Sequence, residues 1–340
     1  MSTDACTLLL HSTPGRWAAV MVLGVTLLAG NLSALGEEPL EITSDRSVVS
    51  VKRGDQPVLE YQYVGKPKKP YAKEWFSPGG VNVLRDAPLD HLHHHGLMFA
   101  VAVDGVDFWS ENEKCGQEKH VRLADVNAYS RHGLSWCTFT QHVDWVGPDG
   151  ETLLMQERRT IDCCRMPAEE ATLLIWQSRF EAPPGKPSVT LSGSTYFGLG
   201  MRFVQSMDKG GRFQNADAGV GVEGTNDVRS AWCAYSAATN GHQPEVGRSV
   251  PDGKPVTVAM FDCPANPRFP ATWFTLDSAF AYLSATLNLS KEPLVIESGR
   301  PLELRYAAAL WDGHVDSERI EKLYRQLGAW FSQADVPRGR

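Results

Sequence analysis

Runs of β-branched, aromatic or strictly alternating residues recur along this chain, and only one stretch has helical spacing. The strand-like runs are Ser47–Lys52, Val58–Tyr63, Leu97–Val103, Leu134–Trp145, Thr152–Ile161, Thr172–Phe180, Val256–Phe261, Ala281–Leu287 and Leu302–Leu310. Gly, Pro, Asn and Asp lie between them, as expected of turns. Asp104-Gly105, set between Val101–Val103 and Val106–Trp109, predicts a tight type I′ hairpin. Gly147-Pro148-Asp149-Gly150 predicts a second turn joining two strands. Strands in such number with so little helix predict an all-β fold, a large antiparallel β-sandwich.

The helix is expected at the C-terminus. Asp316 or Ser317 can cap it, and Glu318 suits the positive end of its dipole. Ile320, Leu323, Tyr324, Leu327 and Trp330 or Phe331 form an apolar stripe that predicts packing across a sheet.

The N-terminus reads as a targeting segment. Arg16 precedes an apolar run from Trp17 to Ala29, and small residues continue to Gly36. The run is shorter than the ~20 residues of a membrane span. The expectation is a signal peptide over 1–36 and one sandwich domain over 37–340, exported to the periplasm or the exterior. No later stretch is apolar enough to span a bilayer. The net charge of −7 comes without a basic block, which argues against nucleic acid as a partner. Cys115, Cys137, Cys163, Cys164, Cys233 and Cys263 follow the expected cleavage point. Their even number permits disulfides in an exported protein, whereas the absence of a C-x-x-C pair argues against a zinc site. Adjacent Cys163 and Cys164 would face opposite ways in a strand.

The chemistry of the chain concentrates at Arg85-Asp86-Ala87-Pro88-Leu89-Asp90-His91-Leu92-His93-His94-His95-Gly96, which holds four of the ten histidines. Imidazole titrates near neutral pH and is the commonest metal ligand. If the segment is extended, His91, His93 and His95 share one face and His94 takes the other. That face would approach the ligand count of a divalent metal site, with Asp90 or a residue from another strand completing it. Alternating residues of one strand stand ~6.6 Å apart, so two such histidines can share an ion more readily than three. The other readings are an acid–base or sugar-binding site at His93 and His94, and a structural loop.

Three further stretches offer binding groups. Arg202 lies among glycines and aromatics in Tyr196–Phe203, where it can bind a carboxylate or sugar oxygens or make a salt bridge. The proline-punctuated loop Cys263–Phe274 offers Asn266, Arg268 and Trp273, with a rigid connection and a core tryptophan as the alternative. Asp312 and His314 are explained by a turn before the helix. No G-x-S-x-G elbow, P-loop or dinucleotide fingerprint occurs in the right context, which sets aside serine hydrolases, kinases and nicotinamide dehydrogenases.

Arg85-Asp86-Ala87-Pro88, His93-His94-His95-Gly96-Leu97, Val106-Asp107-Phe108-Trp109, Gly198–Arg202 and Asn266-Pro267-Arg268 together resemble a bacterial family labelled PmoA, or "methane oxygenase". The resemblance runs from about Val58 to Tyr324. It implies an exported protein found among polysaccharide degraders. Members commonly carry arginine where this chain has His95, so His93 and His94 are the steadier pair. The layout also resembles the galactose-mutarotase-like supersandwich, in which a histidine and a carboxylate act on a sugar in a concave sheet. Glu297 and Glu303 are the nearest candidates for that carboxylate.

The function expected is therefore a secreted carbohydrate-active protein that transforms a sugar by acid–base hydrolysis, elimination or epimerisation. His93 and His94 would be catalytic, and Arg85, Arg202, Asn266, Arg268 and Trp273 would bind the carbohydrate ligand. The alternatives are a non-catalytic carbohydrate-binding module and a metal-dependent oxidoreductase using His91, His93 and His95.

Overall fold

A computed structural model describes residues 38–65, 67–241 and 253–331. The expected signal segment over 1–36 lies outside them. The described residues form two large antiparallel sheets, as the strand pattern predicts. The first has nine strands in the order Leu40–Ser44, Val48–Arg53, Gln56–Gln62, Tyr71–Trp75, Leu97–Ala100, Gly198–Arg202, Tyr282–Thr286, Thr272–Leu276 and Val228–Arg229. The second has eight, in the order Arg212–Asn215, Trp232–Thr239, Lys254–Asp262, Leu302–Asp312, Ala171–Glu181, Leu153–Met166, Leu134–Val146 and Gln117–Arg131. A small four-stranded sheet includes the Ala102–Val103 and Val106–Asp107 hairpin. Asp104 and Gly105 at its tip both have positive φ, 49° and 82°, as a type I′ turn requires.

The sheets meet through aromatic residues on their inner faces. Tyr61 of the first touches Phe139 and Trp176 of the second, with ring centroids 4.9 and 6.2 Å apart. Phe99 meets Phe180 at 5.2 Å, and Phe203 meets Tyr235 at 5.1 Å. This apolar interior also encloses a charged group. Arg159 is fully buried, pairs with Glu157 and Glu118 at 2.7 and 2.9 Å, and donates to Tyr61 Oη at 3.1 Å. Burial raises the Glu118 pKa to about 8 despite the adjacent guanidinium.

The eight-stranded sheet has a second core on its outer face. Ile320, Leu323, Leu327 and Phe331 of the helix Ser317–Phe331 pack there on Ala307, Ala309, Ala234 and Ala259. Small side chains at those positions let the helix approach the sheet closely. Asp316 caps it, accepting the Arg319 N–H at 2.9 Å. A five-residue helix over Gly221–Thr225 joins it in the described chain. Cys163 belongs to the inner core and Cys164 to this outer one, as strand alternation predicts. All six described cysteines are buried free thiols. No described helix is long and apolar enough to cross a membrane.

Candidate functional site

The histidine loop is held at its base by the nine-stranded sheet. Leu84 bridges Phe203, and Asp86 bridges His95. Arg85 N donates to Arg202 O at 2.9 Å, and Arg202 N donates to Gly96 O at 2.8 Å. Gly96 has φ +36°, and a Cβ there would stand 2.1 Å from the Ala72 carbonyl oxygen, so only glycine fits. Between these anchors the chain makes two turns, with His91 N on Pro88 O and His94 N on His91 O. Of the extended and bent forms open to the segment, the structure shows the bent one. The Asp86–His95 bridge forces the chain to reverse within a short span, and Pro88 starts the reversal.

Reversal changes which imidazoles meet. His91 stacks on His94 with centroids 4.6 Å apart, and His93 sets its edge against both, at 5.8 and 4.7 Å. His95 leaves this group. Its Nδ1 meets Asp86 Oδ1 at 2.6 Å and its Nε2 meets Glu111 Oε1 at 3.1 Å. Carboxylates only accept, so both ring nitrogens donate and the ring is an imidazolium. Burial alone would lower the His95 pKa, but the two carboxylate bonds outweigh it and raise it. Burial likewise works against ionised Glu111, yet His95 and Lys69 hold its pKa at about 2. Lys69 Nζ, itself buried, completes the knot with bonds to Glu111 at 3.1 Å and the Trp109 carbonyl at 2.6 Å.

His94 has the opposite environment. Burial, and then its cationic neighbours, push its pKa to about 2, so the ring is neutral. Half-buried His93 is shifted down for the same first reason, with Lys69 adding to it.

Arg202 and Tyr282 face these rings from directly paired positions on neighbouring strands. Met201 lies on the same face as Leu199 and its partner Phe99, which meets Phe180 of the other sheet, so Arg202 and its partner Tyr282 point to the outer face. Arg202 Nη2 donates to Asp90 Oδ2 at 3.0 Å, the same oxygen that meets His91 Nδ1 at 3.0 Å. Burial would raise Asp90, but His91 and Arg202 bring its pKa to about 2. Gly200 makes room for the phenol, since a Cβ there would stand 2.2 Å from Tyr282 Oη. Arg85 pairs with Asp208 at 3.5 Å, and Asp208 accepts the Ala281 N–H at 2.9 Å, fastening the chain between Phe280 and Tyr282. Trp109 stacks on Phe197 at 5.2 Å and turns its edge to His94 at 5.8 Å, forming an aromatic wall.

Four buried polar atoms of this cluster have no hydrogen-bond partner among the described residues: Arg202 Nε and Nη1, His94 Nδ1 and Tyr282 Oη. Unpaired buried polar atoms are costly and rare in folded proteins. The cluster therefore holds unspent hydrogen-bonding atoms among packed aromatic rings. It does not suit the expected metal trio. Both His95 nitrogens and His91 Nδ1 are already engaged, and no described group of three or more His, Cys, Asp or Glu is placed to hold an ion.

His93, His94, Arg85 and Arg202 thus come together, while three residues expected to bind substrate lie elsewhere. Trp273 is a core residue whose Nε1 donates to Ser230 O at 2.8 Å. Arg268 clamps a loop through the carbonyls of Leu287, Glu292 and Pro293. Asn266 spends its amide on Asp262 Oδ1 and on the Arg305 backbone N–H and carbonyl. Glu303 and Glu297 are surface partners of Arg179 and Arg300, and Asp312 holds the Ser77–Gly79 turn. Lys69, Glu111, Asp208, Phe280 and Tyr282 escaped the sequence reading because each is brought in by tertiary contact. Trp109 stood within a motif already noted.

These features define an all-β sandwich with a polar and aromatic cluster on one sheet face. Residues 48–325 match the family of unknown function DUF6807, and the chain belongs to that family. No curated protein matches the chain. Among solved structures, it is similar to an alpha-galactosidase from Lactobacillus brevis, with 5% identity, TM-score 0.40 and coverage of 84% of this chain and 42% of that one. A GH36 alpha-galactosidase from Geobacillus stearothermophilus in complex with stachyose gives 11% identity, TM-score 0.45 and coverage of 84% and 43%. A GalM/aldose epimerase homologue from C. elegans gives 6% identity, TM-score 0.29 and coverage of 82% and 100%. The chain spans about two fifths of the length of the alpha-galactosidases it matches.

Proposed function

We propose that the histidine loop and the outer face of the nine-stranded sheet bind a carbohydrate and transform it by acid–base chemistry. The observation that carries this reading is the convergence of the unpartnered Arg202, Tyr282 and His94 atoms on one cluster of imidazoles and aromatic rings. Guanidinium and phenol groups suit hydroxyl and carbonyl oxygens, and the Trp109, Tyr196 and Phe197 rings suit the apolar face of a sugar. His93, unprotonated at neutral pH, acts as the base, and Asp90 orients His91 beside it. Arg202 holds the developing negative oxygen.

The family that the chain matches is DUF6807, of unknown function, and carries no PmoA or methane oxygenase label, so the glycan substrate rests on the chemistry of this cluster. The signal-like N-terminus supports action in the periplasm or outside the cell. The test is a turnover screen of the purified protein against neutral and oxidised sugars. Loss of turnover in His93→Ala and Arg202→Gln, with folding retained, is the expected result. Full turnover in a His93→Ala/His94→Ala variant would sink the proposal.

A further inference from the structure

The eight-stranded sheet carries a row of basic residues across its strands. Arg122 stands opposite His142, His142 opposite Arg158, and Arg158 opposite Arg179. Their chain neighbours Val143, Glu157, Arg159 and Phe180 are buried in the interior, so the row lies on the outer face. Like charges directly opposite each other destabilise a sheet. The carboxylates nearby answer only one of these arginines. Arg179 pairs with Glu181 at 2.8 Å and with Glu303 at 2.7 Å. Arg122 is bonded to the His142 ring at 2.8 Å, and the Arg158 side chain has no hydrogen bond or ion pair among the described residues.

Beside the row lies a cleft of about 310 Å³. Arg158, Arg179 and Arg305 line it, and Glu303 is the one carboxylate among the lining residues. Thr160 and Gln177, cross-strand partners on the same face, add neutral polar groups. Arg305 spends one nitrogen on the Phe331 carbonyl at 2.8 Å, at the end of the C-terminal helix. The cleft therefore offers an excess of guanidinium donors within a walled space. Guanidinium forks match the planar or tetrahedral oxygens of an anion.

We propose that this cleft binds the oxyanion of a small ligand: a carboxylate, sulfate or phosphate. It lies on the outer face of the eight-stranded sheet, and the histidine loop sits on the outer face of the nine-stranded one, so the two sites are separate.

Isothermal titration of the full chain with inorganic sulfate, inorganic phosphate and glucuronate tests this, with glucose as the uncharged control. Saturable binding of at least one oxyanion, and none of glucose, is expected. The three probes separate a carboxylate ligand from a tetrahedral one. Arg158→Gln should weaken binding by about tenfold, the loss of roughly one charge-assisted contact. Arg158 is exposed and unpaired, so this variant should keep the wild-type melting temperature. His93→Ala should bind the anion as the wild type does, whatever becomes of its sugar chemistry. No saturable binding of any of the three anions, equal binding of glucose, or full affinity in Arg158→Gln would overturn the proposal.

Discussion

The guanidinium carbon of Arg202 lies 3.6 Å from the centre of the Phe280 ring. The same guanidinium reaches Asp90 on the histidine loop, so one buried cation ties the loop to the sheet. Charge over an aromatic face is worth up to ~2 kcal/mol when desolvated. Arg202→Gln should therefore lower unfolding stability by about 1–3 kcal/mol, because it also strips Asp90 of a partner. Urea unfolding measures this, and unchanged stability would mean that the contact contributes nothing.

Gly200 and Tyr282 should be strongly coupled. A Cβ at position 200 would overlap Tyr282 Oη, Cζ and Cε1. Gly200→Ala is expected to cost about 1–3 kcal/mol through overpacking. In a Tyr282→Ala background the same change should cost little, because the obstructing ring is gone. A double-mutant cycle with additive effects would refute this.

His94 and His95 impose opposite pH dependences. The native His94 pKa is depressed to about 2 from 6.5, so the unfolded chain takes up a proton that the folded one refuses. Its contribution is complete above pH 6.5 and declines as pH falls below it. The native His95 pKa is raised, so its contribution is complete below 6.5 and is lost as pH rises through the native value. His94→Phe should flatten the acid side of the stability profile, and His95→Gln the alkaline side. Melting temperatures measured across pH check both signs.

Arg159 is the stability-critical charge of the interior. Arg159→Met would leave Glu157 and Glu118 buried without their cation. A loss of about 3–5 kcal/mol is expected by denaturant unfolding. Restoring neutrality in Arg159→Met/Glu157→Gln should recover part of it.

The strand pattern made the sandwich legible because burial on one face imposes alternation on each strand. Leu134–Val146, Ala171–Glu181 and Leu302–Asp312 all lie where that pattern placed them. Gln117–Arg131 went unread. It is an edge strand with a single buried residue, so no apolar alternation marks it. The histidine loop was legible as chemistry but not as shape. Its turns are closed by the Asp86–His95 bridge, a pairing that the residue pattern of the loop does not mark. Trp273 and Arg268 carried residue types suited to sugars, yet their polar groups are spent on backbone carbonyls. Only tertiary structure separates that use from ligand binding. Phe280 and Tyr282 had no local signal because their partner Arg202 is far away in sequence.

The bridge that closes the loop at Asp86 and His95 separates anchorage from recognition. The exposed Leu89 and Leu92 flank Asp90, between that clasp and the second tie to the sheet at Arg202. A change confined to those two leucines can therefore alter the loop's exposed surface while the Asp86–His95 rung and the Asp90 tie to Arg202 stay in place.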